Sequence, residues 1–409
     1  MVSKETDVTM HSELPPTLHP PKPRLTLRVG VVGHRPDKLE LAARTRIEQQ
    51  LRNIFAAIDV EANYLLATSK DCYLKDRPAV RLISGFAQGS DQLAVSVCPP
   101  DWEIEAILPF PKDRYIRTFS AKHFDEEVQN PFDEILKRAN VITELSPENT
   151  DDHAPPHKGA RPPEKGYAEA GSYLLRQIDL LIAIWDGKPP KIAGTGAVAR
   201  HAFEGGIPVV WIATEDDYVP RLIKGFDPNG DPSAPDTDCT DGPLRNALAP
   251  VFAIPAGESR TARRSQTSVL ADFYQEVWQE AVYFPFYDIL KRFTNGERLR
   301  YVIRLDPLEK RLADWDGFMK DAPQVEDLEK RIREILLPRH LWADSLAIYF
   351  SHYYRSAYVL AYSLSACAVF IALAGQFANS IDTKAIVVFF ELIVIGAIIE
   401  TIRRGQRWR

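Results

Sequence analysis

The chain has 409 residues, enough for two or three domains of about 150 residues each. Its 50 Lys and Arg residues against 56 Asp and Glu residues leave a net charge of -6, which argues against a protein that coats nucleic acid. Apolar residues make up 45% and charged residues 26%, the proportions of a folded protein, so full disorder is excluded.

The four cysteines, Cys72, Cys98, Cys239 and Cys367, lie far apart and form no CxxC pair. This usage fits a reducing cytosol and gives no disulfide framework and no metal site. Residues 1–24 are polar and proline-rich and lack the apolar core of a secretory signal, which predicts a disordered lead.

Residues 25–215 alternate short, continuous apolar runs with helical patterns. The runs predict strands over 25–32, 79–84, 102–108, 141–145, 180–185 and 207–212, and the helical patterns predict helices over 39–58, 167–178 and 196–204. Continuous apolar strands alternating with helices are typical of a parallel sheet covered on both faces. We therefore predict a doubly wound, Rossmann-like α/β domain, which binds ligands at the carboxyl ends of its strands.

Two regions of different composition follow this domain. Residues 216–265 are rich in Pro, Gly, Asp and Thr, which predicts a long loop or insertion. Residues 266–350 are rich in charged and aromatic residues at helical spacing, which predicts an accessory helical region next to the membrane.

Two apolar segments come last. Residues 357–377 contain no charged residue, and residues 385–402 are apolar apart from Glu391, Glu400 and Thr401. Each is close to the roughly 20 residues that a bilayer requires, and the link between them is short. We predict a two-helix transmembrane hairpin over 357–402; two buried core helices are the alternative.

The charges around this hairpin predict its orientation. The basic tail 403–409 carries four arginines, whereas the link carries Lys384 alone as a positive charge. The positive-inside rule then places both chain ends in the cytoplasm, at the inner (plasma) membrane. Tyr353, Tyr354 and Tyr358 stand where interfacial aromatic residues are expected.

The second apolar segment contains an ionisable residue, Glu391. Such a group inside a span is functional by default, so Glu391 is a candidate for pore lining or assembly. The alternatives are snorkelling and a protonated carboxyl within a bundle. Because two helices cannot enclose a water path, we expect a homo-oligomer.

Three strand-end loops are rich in glycine or small residues and predict a ligand site. The candidate binding residues are Gly33, His34, Arg35, Ser84, Gly85, Ala87, Gly89, Asp91, Asp186, Gly194, Thr195 and Gly196. Glycine lets the backbone approach a phosphate, and a helix N-terminus offers N–H donors. Arg35 is a candidate for a bidentate phosphate contact, and His34 for a stacking or hydrogen-bonding contact. An ordinary tight turn is the alternative for each loop; three at one sheet edge favour a nucleotide or phosphosugar site.

The common nucleotide and hydrolase fingerprints are absent from the sequence. There is no GxGxxG, no GxxxxGK[ST] and no GxSxG. A standard dinucleotide site, a P-loop for ATP hydrolysis and a serine-hydrolase elbow are therefore not expected. The expected ligand is a nucleotide-derived small molecule, without a separate cofactor or metal.

Three segments resemble the SLOG superfamily, a Rossmann-like group related to DprA and the LOG enzymes. They are VGVVGHRP (29–36), LISGFAQGSDQLA (82–94) and DLLIAIWDGKPPKIAGTGAVARHAFEGGIPVVWI (179–212). The resemblance implies a sensor of nucleotide derivatives in bacterial conflict systems, or a nucleotide hydrolase of the LOG branch. The C-terminal hairpin resembles the two-helix membrane effectors called SLATT, which accompany SLOG domains.

The sequence departs from the LOG hydrolases at their PGGxGTxxE motif. Lys191 and Ile192 replace the two glycines after Pro190, and Val198 stands in place of the glutamate that acts on the ribose. Without that acid, sensing is favoured over hydrolysis. A membrane-anchored nucleotide N-glycosidase and a passive anchor for a binding module remain as alternatives.

Two carboxylates at the same edge have open roles. Asp91 either caps its helix or binds a ribose hydroxyl. Asp186 ends a strand over this edge and either contacts the ligand or is a plain loop residue.

Overall fold

The computed structural model describes residues 19–36, 39, 41–119, 132–145, 164–188, 194–215, 218–235, 237–240, 242–252, 266–306, 308–320, 326–377 and 381–407. These residues form two compact units, Lys22–Thr267 and one that includes Ser268–Arg409. Most of the predicted lead 1–24 and the last two residues of the basic tail 403–409 lie outside the described residues.

The first unit is built on a seven-stranded sheet with the order β4-β3-β2-β1-β5-β6-β7. The strands are β1 (Thr26–Gly33), β2 (Ala79–Ser84), β3 (Glu103–Leu108), β4 (Val141–Glu144), β5 (Leu180–Trp185), β6 (Val209–Ala213) and β7 (Arg221–Leu222). All neighbours pair in parallel except β6 and β7, which are antiparallel. The predicted α/β architecture is confirmed.

Helices cover both faces of this sheet. They are α1 (Leu41–Thr68), α2 (Ser90–Val97), α3 (Lys112–Ile116), α4 (Glu164–Leu175), α5 (Thr195–Glu204) and α6 (Pro243–Phe252). Alternate residues of β5 join two separate apolar clusters: Leu180, Ile182 and Ile184 one, Leu181, Ala183 and Trp185 the other. Because side chains alternate across a strand, burial on both faces explains the unbroken apolar run.

The segment 216–265, for which we expect a loop or insertion, belongs largely to this unit. It contains β7, the short antiparallel pair β8 (Gly225–Phe226) and β9 (Pro232–Ser233), and helix α6. Leu244 and Leu248 of α6 are fully buried, and Arg245 Nε lies 2.7 Å from Glu61 Oε2 of α1. The compact unit therefore extends to Thr267 rather than ending at 215.

The second unit contains the remaining elements. Its chain order is α7 (Gln266–Phe273), which spans the boundary, then β10 (Ala281–Val282), α8 (Phe286–Asn295), β11 (Ile303–Arg304), α9 (Leu308–Lys320), α10 (Glu326–Arg331), a π-helical turn (Ile332–Leu336), α11 (Leu337–Gln376) and α12 (Ile381–Arg407). The predicted accessory region and first span share α11, which has no break at 350 or 357.

The two long helices differ from the core helices of a soluble protein. The buried residues of α11 all lie between Leu337 and Ala357, and its later residues are exposed or half-buried. In an apolar stretch of 18 residues within Leu328–Gly375 only 6% of the residues are buried, and in one within Lys384–Arg403 none is buried. Both helices are long and apolar enough to cross a membrane. The alternative of two buried core helices does not hold for the described chain.

Candidate functional site

The three candidate loops meet where the strand order reverses. β1 lies between β2 and β5, and the chain leaves all three strands at the same edge. We call this the carboxyl edge, and we number its loops as the first (34–36, after β1), the second (85–89, after β2) and the third (186–194, after β5). A reversal of strand order opens a crevice at which doubly wound sheets bind their ligands.

The first two loops interlock through small residues. The His34 carbonyl accepts hydrogen bonds from the N–H and the hydroxyl of Ser90, both at 3.0 Å. A Cβ on Gly33 would lie 2.3 Å from the Ser90 Cβ, and one on Gly89, which has φ of 99°, would lie 2.5 Å from the His34 oxygen. The packing between the loops by itself therefore requires glycine at both positions.

Asp91 lies beneath the second loop and does not cap its helix. The helix N-cap is Gly89, which makes no side-chain capping bond, and Asp91 Oδ2 accepts the N–H of Ala87 at 3.4 Å. Burial raises the pKa of Asp91 to about 7, against hydrogen bonds from Ser84, Ala87 and Gly33. Asp91 thus links the end of β1 at Gly33 to the second loop at Ala87 through hydrogen bonds.

The second loop also contains a strained residue. Phe86 has φ of 55°, the left-handed region that side chains other than glycine rarely adopt. Its ring is fully buried, and its N–H donates to Ser84 Oγ at 3.2 Å. The buried Ser84 hydroxyl is therefore engaged inside the loop, and the surrounding core holds the strained backbone in place.

Arg35 is held over the carboxyl edge by two neighbouring groups. Its Nη1 donates to the Thr118 carbonyl at 3.1 Å and its Nη2 to the Tyr167 hydroxyl at 2.8 Å. The guanidinium carbon lies 5.5 Å from the centre of the Tyr167 ring. The Tyr167 hydroxyl donates in turn to Thr118 Oγ1 at 3.1 Å. These contacts hold the Arg35 guanidinium in place with two of its five N–H groups, and the other three can donate to a ligand.

A chain of charged groups links the ends of β1, β5 and β6. His34 Nε2 lies 3.0 Å from Asp186 Oδ1, and Lys188 Nζ lies 3.2 Å from Asp186 Oδ2 and 2.6 Å from Glu215 Oε1. Burial raises the pKa of Asp186, but hydrogen bonds with His34 and Lys188 outweigh it and hold that pKa below its ordinary value. Asp186 is therefore an ionised hub rather than a plain loop residue.

His34 has two possible partners for one ring nitrogen. Nε2 lies 3.1 Å from the backbone N of Asp186 as well as 3.0 Å from its carboxylate. A nitrogen without a proton accepts from the N–H, and a protonated one donates to the carboxylate. Whether Nε2 carries a proton, by tautomer or by charge, therefore selects its partner at the crevice.

The third loop leads into α5. Gly194 is the N-cap of this ten-residue helix in extended backbone, Thr195 is its first residue, and Gly196 is buried. A Cβ on Gly171 of α4 would lie 3.0 Å from Val198 Cγ2, so Val198 fills space between two helices. Residues 189–193, which include the Lys191-Ile192 departure, lie outside the described residues.

The structure adds four residues to the predicted set. They are Thr118 and Tyr167, which hold Arg35, and Lys188 and Glu215, which extend the charge network. Lys188 stands within the DGKPP stretch of the family-like segment, which was a usable signal. Thr118 and Tyr167 gave none, because only the tertiary fold brings them to Arg35.

Glu391 lies on the side of α12 that faces α11. Val387, Glu391, Val394 and Ile398 are half-buried at helical spacing, whereas Ile395, one turn after Glu391, is 43% exposed. Val387 marks this side, since a Cβ on Gly375 of α11 would lie 2.9 Å from its Cγ1. The carboxylate thus belongs to the seam between the two helices.

No protein-family model matches this sequence, and no curated protein is significantly similar to it. The resemblance to the SLOG and SLATT groups therefore stays a prediction drawn from the quoted segments.

Proposed function

We propose that the α/β unit binds a nucleotide-derived small molecule at the carboxyl edge. The observation that carries this proposal is the position of Arg35, which lies at the reversal of strand order with two of its donors already anchored. An anchored guanidinium loses less conformational entropy on binding a phosphate than a free side chain.

Neighbouring groups support the same ligand class. The N-terminus of α5 follows the third loop at this edge and provides N–H donors for an anion. Tyr167 offers an aromatic ring, and His34 and Asp186 offer polar groups for a base or a sugar. The absence of a P-loop motif favours recognition of the ligand over hydrolysis of its phosphates.

The long helices are the membrane part of the proposal. α11 and α12 cross the inner (plasma) membrane as a hairpin, and both chain ends lie in the cytoplasm because the arginines follow the second span. Two helices enclose no water path, so a homo-oligomer is the functional state. Glu391 contributes to assembly or to the lining of a pore.

Ligand binding would then bias the assembly or tilt of the hairpin and permeabilise the membrane. This is the behaviour implied by the resemblance to SLOG sensors and SLATT effectors, and it fits antiphage defence by abortive infection. A passive anchor would bind the ligand without any change in leakage from proteoliposomes.

The test of the ligand site is a titration of the detergent-solubilised full chain with a panel of nucleotides and cyclic or linear nucleotide derivatives. For a ligand that binds, Arg35→Ala should weaken affinity roughly 10- to 100-fold, since a hydrogen bond to a charged group contributes about 1.5–3 kcal/mol. Arg200→Ala is the matched control, because Arg200 pairs with Glu204 on the surface of α5. Unchanged affinity in a folded Arg35→Ala protein would move the site elsewhere.

The hydrolase alternative has its own assay. Because Val198 is packed against α4 where LOG enzymes place their acid, we expect no release of ribose 5-phosphate from nucleoside monophosphates. Release of ribose 5-phosphate at enzymatic turnover would support the N-glycosidase hypothesis instead.

A further inference from the structure

The small sheet of the second unit brackets an unusual stretch of chain. β10 and β11 pair antiparallel through Ala281 with Arg304 and Val282 with Ile303. We call the 20 residues between them, 283–302, the β10–β11 excursion; it contains α8. The pairing of the two strands brings the ends of this excursion together, so its residues form one element.

The excursion exposes a dense set of large apolar side chains. Seven of them are 38–76% exposed: Tyr283, Phe286, Leu290, Phe293, Leu299, Tyr301 and Val302. Phe286, Leu290 and Phe293 follow the i, i+4, i+7 spacing of one helix face, and no residue of α8 is fully buried. A soluble surface rarely exposes so many aromatic groups together, and an exposed apolar patch of this kind marks an interaction site.

The inner side of α8 is attached to α11 at one defined level. The Tyr287 N–H donates to Ser356 Oγ at 3.2 Å, and the Arg355 guanidinium lies 5.5 Å from the Tyr287 ring centre. Ser356 and Ala357 are the last buried residues of α11 before its exposed apolar half. The excursion is therefore attached where the proposed membrane span begins.

Charge and aromatic composition at this level match a bilayer surface. Lys291, Arg298 and Arg300 of the excursion are exposed and adjoin the exposed Leu290 and Leu299 in the sequence. On α11, the rings of Tyr354, Tyr358 and Tyr362 follow one another at centroid distances of 4.8 and 6.2 Å. Tyrosines at the end of a span and basic groups beside an apolar helix face are characteristic of the interfacial region of a membrane.

We propose that the β10–β11 excursion is an interfacial anchor. α8 lies along the surface of the bilayer that the hairpin crosses, with Phe286, Leu290 and Phe293 in the boundary between headgroups and acyl chains and the basic residues at anionic headgroups. This inference rests on the proposed membrane function. Its consequence is that the second unit is held at the membrane by three helices rather than two.

The test uses the full chain in nanodiscs of phosphatidylethanolamine and phosphatidylglycerol. A nitroxide is attached at Phe293→Cys in a Cys367→Ala background, since Cys367 is the exposed member of the four described cysteines. Accessibility to molecular oxygen and to a water-soluble nickel chelate is compared. Phe370→Cys, 72% exposed on the apolar half of α11, is the lipid control, and Val60→Cys, 61% exposed on α1, is the water control.

The expected result is an oxygen-rich, nickel-poor label at Phe293, shallower than the label at Phe370. A water-like label at Phe293 with a lipid-like label at Phe370 overturns the anchor and leaves the span intact. Protection of Phe293 from both reagents also overturns it, because the face is then covered by protein. Water-like labels at both positions contradict the membrane function itself and the anchor with it.

Discussion

Gly33 and Gly89 leave no room for a methyl group between the first and second loops. At Gly33 the added carbon would lie 2.3 Å from Ser90 Cβ, and Gly89 also has φ of 99°. We expect Gly33→Ala and Gly89→Ala each to destabilise the α/β unit by roughly 1–3 kcal/mol.

Amide hydrogen exchange in β1 and β5 of the full chain measures this loss. Gly225→Ala is the control, because nothing lies within 4 Å of the added carbon there. Faster exchange in the Gly225 variant but not in the two loop variants would contradict the interlocked geometry.

Asp91 makes stability depend on pH in a defined direction. Its pKa rises on folding from 3.8 to about 7, so the folded state binds the proton more tightly than the unfolded state. The stabilisation from this proton is complete below 3.8 and is lost as pH rises through about 7.

We expect Asp91→Asn, which stays neutral, to lose less stability than the native chain between about pH 4 and about pH 8. Urea unfolding followed by circular dichroism at several pH values measures the difference. Parallel pH profiles for the two proteins would mean that Asp91 is not buried as a protonated acid.

At the scale of elements, strands were predictable wherever both faces are buried. The bounds of β2 and β5 are those expected from the apolar runs AVRLIS and LLIAIW, because burial on both faces requires every position to be apolar or paired. α1 runs ten residues beyond its predicted end at 58, since Ala62 and Leu65 continue its buried stripe.

Short elements inside a segment rich in Pro, Gly, Asp and Thr were not predictable. α6 contributes two fully buried leucines within a segment whose composition is that of a loop. The loops of the candidate site could be predicted, because each follows the end of a predicted strand. The partners of Arg35 could not, because they lie 83 and 132 residues away in the sequence. Local patterns carry no information about such contacts.

The α11–α12 hairpin has an acidic residue in an otherwise apolar seam. A carboxylate inside a bilayer costs free energy unless it is protonated or paired, so if α12 spans the membrane as proposed, we expect Glu391→Leu to keep membrane insertion and to change oligomer size or ligand-triggered leakage. Cross-linking in membranes and dye release from proteoliposomes measure the two effects.

Phe390→Leu is the matched control, since Phe390 is the adjacent residue and is 53% exposed. Equal effects of both substitutions would assign the change to general packing of α12 rather than to the carboxylate.

At the scale of the whole molecule, the hairpin should present its link outside the cell. In a Cys367→Ala background, we expect Ser380→Cys to react with a membrane-impermeant thiol reagent in intact cells. Arg404→Cys should react only after permeabilisation, because the positive-inside rule predicts that the arginine-rich end lies in the cytoplasm.

Fractionation is measured in the same cells. Recovery of the protein in the soluble fraction after lysis, or the reverse labelling pattern, would contradict the proposed topology.

The continuity of α11 couples rotation of its covered half to rotation of its exposed apolar half, which is the proposed membrane span. The helix runs unbroken over 40 residues, from its covered half into its exposed apolar half. Each inserted residue turns everything beyond it by about 100° and advances it by about 1.5 Å. One alanine inserted after Ala357 should therefore turn the apolar half away from its native azimuth and abolish ligand-triggered dye release, whereas seven alanines, close to two full turns, should restore it. Ligand-triggered dye release should therefore vary periodically with the number of inserted residues, because it depends on the angle between the two halves of α11.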